Sequence, residues 1–139
     1  MYDHPFLWGS KRTGPDLHRI GGKYPNKWHF DHLLDPTITS PGSIMPTYPW
    51  LIDQELDNSL LTAKLEAMKT LGVPYTDKDI AQAQASLDKQ AQEIAADLKK
   101  NQVHVLPNRE IIAMIAYLQR LGTDIKAEPK AKEIVDELN

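Results

Sequence analysis

Seven of the ten prolines lie before residue 53, at positions 5, 15, 25, 36, 41, 46 and 49. A proline fixes φ and has no N–H to donate, so a helix can hold it only in its first turn. Prolines at that density rule out any long helix in residues 1–52. The same stretch carries eight of the ten aromatic residues, including all three tryptophans, and four of the five histidines. It has no glutamate, and its five Lys and Arg against four Asp give a net +1, which leaves −4 for the rest of a chain of net charge −3. Aromatic, proline-rich and glycine-bearing sequence without helical periodicity describes a loop-built region, and loops held on a scaffold are where ligands bind.

Residues 53–106 are rich in Ala, Gln, Leu, Lys and Asp. Leu61, Leu65, Met68 and Leu71 fall four, three and three apart, one apolar stripe on a helix expected to begin near Asp53 and to stop at Gly72 and Pro74. Thr76 with Asp79 reads as a variant capping box, followed by a second stripe of Ile80, Leu87, Ala91, Ile94 and Leu98. Two helices forming a hairpin are predicted here. Residues 107–122 start at Pro107 and Asn108, present Ile111, Ile112, Ile115, Leu118 and Leu121 on one face, and end with Gly122 at the C′ position. From 123 to 139 the sequence is a charged tail with few large apolar side chains. The fold class predicted is all-α.

Several function classes drop out on composition. The chain has no cysteine, which removes a disulfide framework, a thiolate zinc site, a thiol nucleophile and covalent attachment through sulfur. The longest uncharged stretch, Pro36 to Ile52, contains four prolines and cannot satisfy its own backbone as a membrane helix. Met1 is followed by Tyr2, Asp3 and His4 rather than by a basic and then an apolar segment, so no signal peptide is read. A mildly acidic chain argues against nucleic acid as a partner, since phosphate binding relies on clustered Lys and Arg.

Three groups of residues carry chemistry. His29 and His32 are three apart beside Asp31 and Asp35, on a segment from Asn26 to Leu34 that reads as a short helix; positions i and i+3 share a face, which gives a two-histidine metal site as one reading and capping or surface histidines as the other. No HExxH or GxSxG motif accompanies them. Thr13-Gly14-Pro15-Asp16-Leu17 is turn chemistry, and Pro15 also presents a rigid carbonyl to any donor beside it. Finally, Met45 stands on a loop stiffened by Pro41, Pro46 and Pro49 with Tyr48 and Trp50 behind it. A thioether held on a rigid loop among aromatics is what a Met ligand to haem iron requires, while core filler is the plainer reading of a lone Met-Pro.

Taken together, TGPDL at 13–17, Met45-Pro46 about thirty residues later and the final IAYLQRL at 115–121 resemble a class I cytochrome c domain. The longer phrases YDHPFLWGSKRTGPDL at 2–17, GGKYPNKWHFDHLLDP at 21–36, SIMPTYPWL at 43–51 and LGVPYTDKDI at 71–80 resemble the monohaem cytochrome c subunit, subunit II, of cbb3-type cytochrome c oxidases. The resemblance runs from Tyr2 to about Gly122. It implies an incomplete class I cytochrome c-like domain over 1–122, made of a haem-pocket half (1–52), an inserted helical hairpin (53–106) and a C-terminal helix (107–122).

The resemblance also implies roles. Met45 is the axial sulfur ligand of haem c iron, and the carbonyl of Pro15, in the turn with Gly14, accepts the hydrogen bond of the proximal histidine's other ring nitrogen. Tyr24, Trp28, Tyr48 and Trp50 line the haem pocket, with Arg12 or Lys23 near the propionates. The implied activity is electron transfer through one haem c toward the oxygen-reducing subunit, not catalysis by this chain. The implied partners are the catalytic and dihaem subunits and soluble cytochrome c-type carriers, at the periplasmic face of the bacterial inner membrane. The family's CxxCH and N-terminal membrane anchor lie upstream of the YDHPF phrase, so the expectation is a piece cut from a longer chain that binds no covalent haem by itself. Two rival readings are kept: a helical interaction module in which residues 53–122 dock onto other subunits or onto a second copy, and a metal-binding protein using His29 and His32.

Overall fold

The computed structural model describes residues 17–123; the expectations for Arg12, Gly14, Pro15 and the charged segment beyond residue 123 fall outside them. The described residues are helical: a single 3-10 turn at Leu17–Arg19, then α1 (Asn26–Leu34), α2 (Pro36–Thr39), α3 (Trp50–Asp53), α4 (Leu61–Thr70), α5 (Asp77–Lys100) and α6 (Glu110–Arg120). Among them there is no strand, only an isolated antiparallel bridge between Glu55 and Arg109, and no helix long and apolar enough to cross a membrane. The all-α expectation holds. Residues 25–117 make one compact unit, and residues 17–24 with 118–123 are the described part of another.

In the larger unit, the core is set by α6. Its Ile111, Ile112 and Ile115 are at most 1% exposed, the i, i+1, i+4 pattern that puts one wide apolar face inward. They meet Ile94, Ala95 and Leu98 of α5, Phe30 and Leu33 of α1 and Leu51 of α3 in one cluster. α1 opens directly after Pro25, whose φ of −69° is already close to helical and whose carbonyl accepts from the Trp28 and His29 amides. Asp35 then ends α1 and begins α2: its amide donates to the Asp31 carbonyl at 2.8 Å, while its carboxylate accepts from the Thr37 amide at 2.9 Å and the Thr37 hydroxyl at 2.6 Å. That is an N-cap followed by proline at N1.

α5 carries the capping box read from Thr76 and Asp79, with both reciprocal bonds formed. α4 and α5 pack on each other across the turn 71–76, where Lys69 Nζ reaches Asp77 at 2.6 Å. Both helices end in the same closure. At α4 the Val73 amide donates to Met68 O and Gly72 to Lys69 O; at α5 Val103 donates to Leu98 O and Gln102 to Lys99 O. These paired bonds need a left-handed residue between them. Gly72 supplies it at φ +94°, but in α5 the position is taken by Gln102 at φ +63°, where a Cβ crowds the backbone.

Two boundaries differ from the sequence reading. α4 begins at Leu61, not near Asp53, and α6 at Glu110, not at Pro107. The cause is a pairing across more than fifty residues: the Leu56 amide donates to Asn108 O at 2.9 Å, Glu110 to Gln54 O at 3.0 Å, and Arg109 Nη1 to the Asp53 carbonyl at 2.7 Å. The bridge between Glu55 and Arg109, with its flanking bonds, holds both helices back. The α4 stripe also packs less than its pattern implies: no residue of α4 is buried, and Met68 and Leu71 are 44% and 80% exposed.

In the smaller unit the chain passes very close to itself. Gly21 donates its amide to Leu121 O at 2.9 Å, the Gly22 amide donates to Gln119 Oε1 at 2.9 Å, and Gln119 Nε2 donates to the Tyr24 carbonyl at 2.9 Å. A Cβ on Gly21 would stand 2.5 Å from both Gln119 O and Leu121 O. Gly122, at φ +75°, meets the His18 carbonyl in the same way and is the C′ residue expected.

Two stability changes follow, both read from urea unfolding midpoints. Gln102→Gly relieves a left-handed side chain without removing a contact and raises stability by about 1 kcal/mol. Gly21→Ala drives a methyl group onto two backbone oxygens and lowers it by roughly 2 kcal/mol or more; a neutral Gly21→Ala would contradict the close approach.

Candidate functional site

The segment that carries Met45 runs from Ser40 to Pro49 and has no regular structure, yet it is tied at both ends. At its start the Ser43 amide donates to Ser40 O at 3.0 Å, with Gly42 at φ +80° turning the chain, and the Met45 amide donates to Ser43 Oγ at 3.2 Å. At its end the Tyr48 amide donates to the carbonyl of Leu33 in α1 at 2.9 Å, and the Leu51 amide to Tyr48 O at 3.3 Å. Pro46 and Pro49 fix φ between these anchors. The loop is therefore held by hydrogen bonds and ring constraints, not by a helix.

Side chains along it alternate. Ile44 is 84% exposed, whereas Met45 and Tyr48 are half-buried and pack against the core cluster. Trp50, at the first turn of α3, is 48% exposed and meets Tyr48 edge to face with ring centroids 5.3 Å apart. Met45 and Tyr48 thus both reach the core cluster, and Trp50 meets the Tyr48 ring. Tyr24 belongs to the other unit, where its carbonyl takes the Gln119 amide and Lys23 Nζ lies 5.5 Å from its ring.

Trp28 is used by the histidines. Its indole stacks on His32 at 4.5 Å and 14° and meets His29 edge-on at 5.4 Å and 88°. His32 Nδ1 shares a hydrogen bond with the Thr39 hydroxyl, tying α1 to α2. His29 is 2% exposed; burial first, and then the nearby His32, hold its pKa below the ordinary 6.5, and burial alone lowers that of His32. The carboxylates are engaged elsewhere, Asp31 with Lys27 Nζ at 2.7 Å and Asp35 with Thr37. Among the described residues no group of three or more metal-ligating side chains converges. Spacing put both rings on one helix, where they pack on Trp28.

What the loop can do chemically follows from Met45. A neutral, soft sulfur on a half-buried residue packed against the core cluster has the chemistry that a haem iron would take as a ligand, where water must be kept from the metal. The chain supplies no thiol for a thioether link. The residues present therefore fit the sulfur side of a haem and not its covalent attachment. The sequence reading missed both anchors of this loop: Leu33 O, because a backbone acceptor has no residue signature, and Ser43 Oγ, for which the one available signal was a hydroxyl residue two positions before Met45.

The buried imidazole makes stability depend on pH in a defined direction. A lowered folded-state pKa means that the unfolded chain binds the proton first. Stability is thus undiminished above about pH 6.5 and falls as the pH drops through the interval between that value and the lower folded pKa of His29. Asp35 and Asp57, whose pKa values are lowered by hydrogen bonds from Thr37 and Ser59, act in a separate range: their stabilisation is present above the ordinary 3.8 and lost as the pH falls below it. Urea midpoints measured from pH 7.5 to 5 decline in the native chain, and His29→Gln flattens that decline while leaving the fall near pH 4.

The comparison with known families agrees with the resemblance read from the motifs. The family model described as cytochrome C oxidase, mono-heme subunit/FixO matches residues 1–125. No curated protein matches the chain. With a family model covering nearly all of the 139 residues, the chain belongs to the mono-haem subunit family of cytochrome c oxidases.

Proposed function

We propose that this chain serves electron transfer in a cbb3-type oxidase by supplying the methionine side of a haem c site, with Met45 as the axial ligand. The observation that carries this reading is the half-buried Met45 on a loop tied to α1 through Tyr48 and Leu33, in a chain of the mono-haem family. Haem c supplies the one-electron redox chemistry; Met/His ligation raises its potential.

The chain's own residues bind, orient and exclude water. The core cluster gives Met45 an apolar backing, Tyr48 holds the loop to α1, and Trp50 stands on Tyr48 at the surface. Pro15, beside Gly14, is proposed to accept through its carbonyl from the proximal histidine, which fixes that ring's tautomer, and Tyr24 and Trp28 to complete the pocket walls. Family membership brings association with other oxidase subunits. The finer proposal is that electrons arrive from soluble cytochrome c-type carriers and leave toward the dihaem and catalytic subunits, at the periplasmic face of the inner membrane. The helical docking reading survives as a part of this one, since Leu60, Met68 and Leu71 at α4 are exposed and available to neighbouring subunits.

The test uses the haem-loaded subunit. Met45→Ala abolishes the low-spin, sulfur-ligated spectrum, and Met45→His keeps a low-spin iron but lowers its potential. An unchanged spectrum in Met45→Ala rejects the assignment.

A further inference from the structure

We propose that residues 103–106 form an open strand edge that takes up an extended, acidic segment of a partner polypeptide. The proposal does not depend on haem ligation by Met45. After the closure of α5, Val103 and Val105 pack on the core while His104 and Leu106 are exposed, Leu106 at 57%. In-out alternation with a period of two is that of a strand. Just beyond it, residues 108–110 already pair in strand fashion with 54–56 through Leu56, Glu110 and the Glu55–Arg109 bridge. The preceding residues have no such partner. Among the described residues, no hydrogen bond reaches the amides of His104, Val105 and Leu106 or the carbonyls of Val103, His104 and Val105. Pro107, without an N–H, ends the row.

Alongside this edge runs a groove of about 410 Å³, with Ala95 and Ala96 of α5 on one side and Val105 and Leu106 on the other. Small side chains on α5 leave room for a second backbone beside the edge. The rim carries Lys99 and His104, and no carboxylate is among the residues that line the groove. A row of amides and carbonyls at strand spacing is complementary to another backbone, which is how strand addition gains affinity. The apolar walls accept alternate small side chains, and the Lys99 ammonium on the rim, with no carboxylate in the lining, selects acidic ones. The occupant is therefore a stretch of polypeptide that alternates acidic and small apolar residues.

The probe is an acetylated, amidated hexapeptide alternating Glu and Val, titrated into the ¹⁵N-labelled chain. Amide exchange slows by about tenfold or more at alternate residues, either at His104 and Leu106 or at Val105, with shifts confined to residues 103–106 and the facing turn of α5. Methylating alternate peptide nitrogens weakens binding about tenfold in one of the two phases, since one side of an added strand carries the inter-chain bonds. Lys99→Glu with His104→Glu reverses the preference toward a Lys–Val hexapeptide, a readout that loss of folding would not produce. No protection at about 1 mM peptide, or equal binding of both methylated forms, overturns the proposal. Protection that grows with protein concentration and without peptide assigns the edge to a second copy and overturns it as well.

Discussion

Three isoleucines on one face of an eleven-residue helix hold the larger unit together. Alone, α6 is too short to be stable in water, because helix nucleation is costly and propagation gains little per residue. It forms because Ile111, Ile112 and Ile115 leave water completely, each contributing on the order of 2–3 kcal/mol of transfer free energy. Their partners come from three other helices of that unit: Leu98 from α5, Leu51 from α3, Phe30 and Leu33 from α1. The Met45 loop ends at α3 and is bonded through the Tyr48 amide to Leu33 of α1, so these two supports rest on the same cluster. Loosening α6 would therefore be felt at Met45 through the core, without any direct ligand contact.

A proline-rich segment has few backbone donors, and those it retains must be placed well. Between Ser40 and Leu51 the chain spends its donors on Ser40 O, Ser43 Oγ, Leu33 O and Tyr48 O. Fixed φ angles at Pro41, Pro46 and Pro49 lower the entropy of the unfolded loop, so fewer bonds suffice to order it. Order in this loop is thus built from ring constraints and single hydrogen bonds, which keep the sulfur in place while leaving Ile44 and Trp50 outward.

Much of this was legible in sequence, for different reasons in different places. α6 declared itself through Ile111, Ile112 and Ile115 because 3.6-residue periodicity and burial coincide there. α1 was readable from Asn26 to Leu34, and the Thr76–Asp79 box marked the start of α5 because capping is local chemistry. The start of α4 was not readable, since what delays it is the pairing of 54–56 with 108–110, a contact between distant segments that no local window contains. The exposure of Met68 and Leu71 was hidden for a related reason: a stripe shows which face is apolar, not whether anything covers it. His29 and His32 were correctly placed on one short helix, but spacing is silent about Trp28 packing between competing uses of the rings. Gln102 gave no sign of its left-handed turn, because helix termini are usually announced by glycine.

The division of labour within the proposed haem site follows from which donors the sequence has. A chain without cysteine cannot hold haem by thioether bonds, so in the proposed reading these 139 residues would act on the cofactor through what surrounds the Met45 sulfur. A methionine bound to haem iron is a weak ligand, and in that site it would stay bound only while the loop kept its place and water stayed out. The hydrogen bond that ties Ser40–Pro49 to α1 would then act on the metal, because the free energy of loop opening would add to that of the iron–sulfur bond. The Tyr48 amide to Leu33 carbonyl bond is the one that couples them, since it joins the loop three residues after Met45 to the helix that supplies Phe30 and Leu33. In the proposed site, ligand strength would therefore depend on the packing between α1, α3 and α6 as well as on the sulfur itself.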